Sequence, residues 1–135
     1  MSEENVELVR RFVDAYNRRD LEAMLNDLDP EIEWHSGILT GLEGEAAVYR
    51  GHEGYREGLR DLYDALGETH IEYSEIRDLG ERTVAIGRFR ARGRESGAET
   101  ESPHASVADF KDGKAISIHT YFDHAEALEA AGLWE

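Results

Sequence analysis

Apolar positions recur at helical spacing in the first third of the chain and at alternate positions through most of its second half. In "SEENVELVRRFVDAYN", Val6, Val9, Val13 and Tyr16 share one helical face, with Phe12 beside them. Ser2 is a partial N-cap signal, because Asn5 stands where a full capping box needs Glu or Gln. "RRDLEAMLNDLDP" predicts a second short helix, entered at Asp20 and stopped near Pro30. "EIEWHS" alternates Ile32 and Trp34 and predicts a strand. "GILTGLEGEAAVYRG" carries Gly37, Gly41, Gly44 and Gly51 and reads as a long loop, placed to act as a lid from Gly37 to Arg50. Helical spacing returns in "HEGYREGLRDLYDAL" through Tyr55, Leu59, Leu62 and Leu66.

After that helix, strand signals dominate: "THIEYSEI", "RTVAIGRFRARGR", "SPHASVADF" and "KAISIHTYF". "AEALEAAGL" closes with a short helix or turn ending at Gly132. Helices followed by a run of strands predict an α+β fold, a curved antiparallel sheet wrapped by the N-terminal helices. The expected buried set against the concave face is Val6, Val9, Val13, Leu25, Ile32, Leu59 and Leu62. A sheet curved over helices leaves a cone with one open end, and so a pocket.

Asp112-Gly113 is the strongest hairpin signal, a two-residue loop favouring a type I′ turn. Counting outward from Lys111 opposite Lys114, Phe110 opposes Ala115, Ala108 opposes Ser117, Ser106 opposes His119, and His104 opposes Tyr121. On that register these residues and Asp123 share a mixed face suited to a pocket wall. Ile116, Ile118 and Phe122 then form an apolar outer face. A one-residue slip reverses the assignment for one strand.

Composition narrows the chemistry. The chain has 135 residues and no cysteine, which fits one domain over residues 1–135 and excludes disulfides, thiolate metal sites and a cysteine nucleophile. A net charge of −15 argues against nucleic acid. The one basic stripe, Arg88, Arg90, Arg92 and Arg94, is expected to pair with acids of "GAETESP" or "HIEYSE". With no signal-type leader and no membrane-length apolar run, a cytoplasmic protein without membrane contact is expected. The six histidines have no metal-site spacing, and no phosphate-loop, dinucleotide or nucleophile-elbow motif occurs, so neither metal nor organic cofactor is expected.

What remains is acid–base chemistry. His119 titrates near neutrality and Asp123 would do so if buried, which makes them the candidate proton-transfer groups. Asp123 also stands where an N-cap of the last helix would stand. Trp34, Tyr121, Tyr16, His104, Ser106 and Phe110 are the candidate ligand-contacting residues. Trp34 and Tyr16 also suit a plain core.

Three stretches in order, "VRRFVDAYNRRDLEAMLNDLDPEIEWH", "YRGHEGYREGLRDLYDAL" and "FKDGKAISIHTYFDHAEALEAAGL", resemble the SnoaL-like polyketide cyclase branch of the nuclear-transport-factor-two-like superfamily. The resemblance spans residues 5 to 134 and implies a cystatin-like α+β barrel, a conical pocket and a homodimer through the sheet. It implies a small apolar or aromatic ligand, and relatives include cyclases, isomerases, dehydratases, epoxide hydrolases and non-catalytic binding or accessory proteins. The Asp that closes the last strand in such proteins matches Asp123, whereas His119 replaces an aromatic and Ser106 replaces an acid. The tyrosine and acid of a ketosteroid isomerase would fall at Phe12 and at Trp34 or His35, so that activity is not expected. An Arg flanked by two acids, as in the epoxide hydrolases, has no match. The function expected is thus a small-molecule pocket protein, either an acid–base enzyme or a binding protein.

Overall fold

A computed structural model describes residues 2–40, 46–93 and 96–132. Helix α1 (Ser2–Arg18) is followed by the short α2 (Leu21–Asn26), strands β1 (Leu28–Thr40) and β2 (Ala46–Arg50), and α3 (Gly51–Leu66). Four longer elements complete the sheet: β3 (Glu68–Asp78), β4 (Arg82–Arg92), β5 (Glu99–Lys111) and β6 (Lys114–Tyr121). Helix α4 (His124–Ala130) ends the described chain. The curved, unclosed sheet has the order β2-β1-β6-β5-β4-β3. Every pair is antiparallel except β1 with β6, which run parallel.

The helical stripes seat α1 and α3 on the concave face. Val9, Leu25, Ile32, Leu59 and Leu62 are buried as expected, while Val6 and Val13 are half-buried at the margin. Asp20 caps α2 by accepting from the backbone N–H of Ala23. Asn17 locks the end of α1 to the edge strand: its amide donates to Ile71 O at 2.8 Å and accepts from Ile71 N at 2.9 Å. A side-chain amide thus substitutes for the missing neighbour strand. Gly87 on β4 is required by close approach, since a Cβ there would lie 1.8 Å from Glu72 O.

The structure corrects three expectations. The stretch 37–50, expected as a long loop, is mostly strand: β1 continues to Thr40 and β2 pairs along it. The β-preferring Ile38, Thr40, Val48 and Tyr49 outweigh the glycines. The remaining part of the expected lid, 41–45, lies outside the described residues. Next, α4 covers part of the outer face, where Ala127 packs on Val84, Ile86, Ala105 and Val107. The outer sheet is therefore less bare than the pattern implied.

The third correction decides the site. Asp112 (φ 53°) and Gly113 (φ 78°) form the two-residue turn as expected, and Phe110 does pair with Ala115. The next pair is Asp109 with Ser117, so Ile116 is an extra residue in β6. That bulge flips the rest of the strand. Ile118 and Thr120 turn inward opposite Ala108 and Ser106, whereas His119 and Tyr121 turn outward beside Val107 and Ala105.

Candidate ligand cavity

The cavity lies between α1, α3 and the concave face, and measures about 70 Å³. A site of roughly 10–15 Å³ holds one water, so this one accepts several waters or one compact organic molecule. Its walls are mainly apolar: Leu8, Val9, Phe12 and Val13 from α1, Leu62 from α3, and Ala108, Phe110, Ala115 and Ile118 from the sheet. Trp34 closes one side, 4% exposed, with its ring 5.0 Å from Tyr55 and 5.5 Å from Tyr49. Phe12 meets Tyr55 edge-on at 6.1 Å.

Most polar groups on this lining are already engaged. Tyr16 shares a hydrogen bond with Thr69, and burial holds its phenol well above the ordinary value. Tyr55 points its hydroxyl at Met24 Sδ, 3.7 Å away. Asp27 accepts both contacts of a bidentate pair from Arg11, at 2.8 and 3.0 Å. Thr120 donates to His35 O at 3.4 Å.

Tyr73, His104 and Ser106 form the remaining polar group. Tyr73 Oη lies 3.2 Å from His104 Nε2, and the rings are nearly parallel at 5.7 Å. His104 is 1% exposed, and its Nδ1 has no hydrogen-bond partner among the described residues. Burial pulls the His104 imidazole down to about 4, with nearby His124 adding to the effect, so the ring is neutral at pH 7. Burial pushes the Tyr73 phenol far up, opposed by the hydrogen bond of Ser106.

Of the residues expected from sequence, Trp34, Tyr16, His104, Ser106 and Phe110 line the cavity. His119, Tyr121 and Asp123 do not. His119 stacks on His35 across the outer face, ring centroids 4.0 Å apart and planes within 6°. Burial lowers its pKa, and His35 lowers it further. Glu33 accepts from His35 Nε2 at 3.2 Å, and Arg82 donates to Asp109 at 2.6 Å beside the pair. Asp123 is the N-cap of α4, accepting from Ala125 N at 2.8 Å and Glu126 N at 3.3 Å. An exposed carboxylate committed to a helix end is not a pocket group.

Tyr73 and Asp27 were missed. Tyr73 had a legible signal, because Thr69, Ile71 and Tyr73 alternate in "THIEYSEI" and all three face inward. Asp27 had none, since its place on the cavity depends on how α2 meets β1. Three members of the arginine stripe pair with acids as expected, Arg88 with Glu101, Arg90 with Glu72 and Arg92 with Glu99, all facing away from the cavity, and Arg94 lies outside the described residues. Among the described residues no three metal-ligating side chains come together, and no helix is long and apolar enough to cross a membrane.

The family model described as a SnoaL-like domain matches residues 9–118. A nuclear-transport-factor-two-like protein of unknown function from Burkholderia pseudomallei is 26% identical, with a TM-score of 0.80 over 93% of this chain and 95% of its own. TerC, in a structure co-crystallised with polyporic acid, is 25% identical with a TM-score of 0.80, covering 93% and 96% of the two chains. A third structure, a protein of the same superfamily from Burkholderia xenovorans, is 26% identical with a TM-score of 0.71 over 97% of both chains. No curated protein matches the chain.

Proposed function

The chain belongs to the SnoaL-like domain family, and we propose on that premise that it is a small-molecule pocket protein whose ligand occupies the cavity under α1 and α3. One observation carries the reading: an apolar cavity with a connected polar group, Tyr73–His104–Ser106, in its wall. Ligand sites combine apolar walls with a few placed polar atoms in this way. The small organic compound co-crystallised with TerC supports the same use of the fold.

Ligand-observed NMR and thermal shift, with a panel of small apolar and aromatic compounds that includes polyporic acid, test the reading. At least one compound should stabilise the native chain and lose its effect on Ala108→Phe, which fills the cavity. Equal stabilisation of both proteins would place binding elsewhere and end the reading.

A second reading, cofactor-independent acid–base chemistry of cyclase, isomerase or dehydratase type, is supported by Asp27, the carboxylate on the lining. The roles expected of His119 and Asp123 do not transfer to the cavity. His104, with its pKa near 4, is a weak base. Exchange of α-protons of a bound ketone in D2O, abolished by Asp27→Asn, would favour the enzyme; unchanged ketone would favour simple binding.

We also propose that the outer strip around His35, His119, Tyr121 and Val48 meets a second copy of the chain. Val48 is 39% exposed there, and α4 packs only along the Tyr121 side of the strip. Sedimentation velocity at micromolar concentration decides it, a monomer overturning the pairing.

A further inference from the structure

We propose that Tyr73 is the cavity's hydrogen-bond donor to a ligand carbonyl oxygen, so that the ligand class is an uncharged, mainly apolar carbonyl compound. The proposal rests on the small-molecule reading above and specifies its chemistry. It follows from where the protons of the Tyr73–His104 pair must lie.

A neutral imidazole carries one proton, on Nδ1 or on Nε2. Nδ1 of His104 is buried and has no partner among the described residues, while Nε2 faces Tyr73 Oη at 3.2 Å. A proton on Nδ1 would leave a buried N–H without an acceptor, the costlier and rarer kind of unsatisfied group. A proton on Nε2 leaves only a bare lone pair behind. His104 is therefore the Nε2–H tautomer and donates to Tyr73 Oη. Having accepted there, Tyr73 turns its own O–H away from His104. Ser106 opposes the rise in the phenol's pKa, as a hydroxyl donating to Tyr73 Oη does, so the acceptor left for that proton is whatever fills the cavity that both residues line.

The other lining groups restrict what the ligand brings. Tyr16, Tyr55 and Asp27 are engaged by Thr69, Met24 and Arg11. No Lys or Arg is on the described lining, so a buried anion would meet no counter-charge. A carbonyl oxygen supplies an acceptor with no donor of its own to satisfy, and its carbon skeleton suits Phe110, Ile118 and Trp34. His104 is a positioning residue here: it fixes the direction of the phenol and does not touch the ligand.

The test compares cyclohexanone with methylenecyclohexane, the same shape with the oxygen replaced by CH2, binding to the full chain by NMR titration. The ketone should bind about tenfold more tightly, the size of one hydrogen bond, and Tyr73→Phe should erase the preference. Equal affinity for the two on the native chain overturns the donor role while leaving the cavity reading intact. Failure of both to bind overturns the cavity reading and this proposal together. Two measurements on the native chain cover the case in which Tyr73→Phe folds poorly. Nitrogen-15 NMR should find His104 protonated on Nε2 and bare on Nδ1, and the opposite tautomer overturns the assignment. The carbonyl stretch of bound, carbon-13-labelled cyclohexanone should move to lower frequency than in an alkane solvent, and an unmoved band overturns the contact.

Discussion

The two faces of this one sheet hold their polar residues in opposite ways. On the concave face Tyr16, Tyr73, His104 and Ser106 sit among apolar walls, and each proton must find a nearby protein partner or a ligand. On the convex face His35, His119, Asp109 and the arginines of β4 stand side by side, exchanging charge with neighbours and water. A histidine on one face is buried and held neutral; on the other it is half-buried and stacked on a second histidine. Burial is what shifts the groups of the first face, while the second face pairs its charges at the surface.

The largest contrast should come from removing bulk. Trp34→Ala deletes a buried ring packed on Tyr49 and Tyr55 and should cost about 3–5 kcal/mol. His119→Ala should cost under about 1 kcal/mol, because its stack with His35 lies at the surface. Urea midpoints of the two variants check the difference, and similar losses would break the contrast.

A second way to sharpen it is pH. The His104 pKa of about 4 in the folded chain lies below the ordinary 6.5, so the fold favours the neutral ring. That stability is full above pH 6.5, declines as pH falls towards 4, and is gone below, a change of about 3 kcal/mol. His119 is shifted in the same direction, by its own burial and by His35 beside it. Replacing His104 by Gln should flatten the fall in stability between pH 6.5 and 4 relative to the native chain, and His119→Gln should leave the His104 share of it in place.

Smaller effects belong to the outer groups. Asp123→Ala should lower stability by about 1 kcal/mol through loss of the α4 cap, and Asp123→Asn by only a few tenths, because Asn caps as well. Neither should alter ligand affinity in a titration; a loss of binding would return Asp123 to the site. Smallest of all, Arg88→Gln breaks an exposed pair with Glu101 and should leave the urea midpoint where it was.

Much of the fold was legible because its signals are local. The helical stripe of Val6, Val9, Val13 and Tyr16 depends only on spacing along the chain, as does the turn at Asp112-Gly113. Opposite charges two residues apart on neighbouring strands also announced the pairing of the arginine stripe. Trp34, His104, Ser106 and Phe110 reached the cavity by strand parity, and Tyr16 by the helical stripe of α1. Strand parity is reliable until a residue is inserted, and β6 contains such an insertion.

By itself, then, the amino-acid order determined which segments are helix and strand outside 37–50, where the last hairpin turns, and the inward face of β5. Tertiary structure decided the face of β6. Ile118 gains burial against Trp34 only once β1 and β6 lie side by side in parallel, and the Ile116 bulge is the adjustment that lets it. Burying Ile118 rather than His119 avoids desolvating an imidazole, a choice whose energy exists only when a non-adjacent strand supplies the wall. The same holds for the Tyr73–His104 pair: its two residues are 31 positions apart, and the β3–β4–β5 pairing sets one ring against the other.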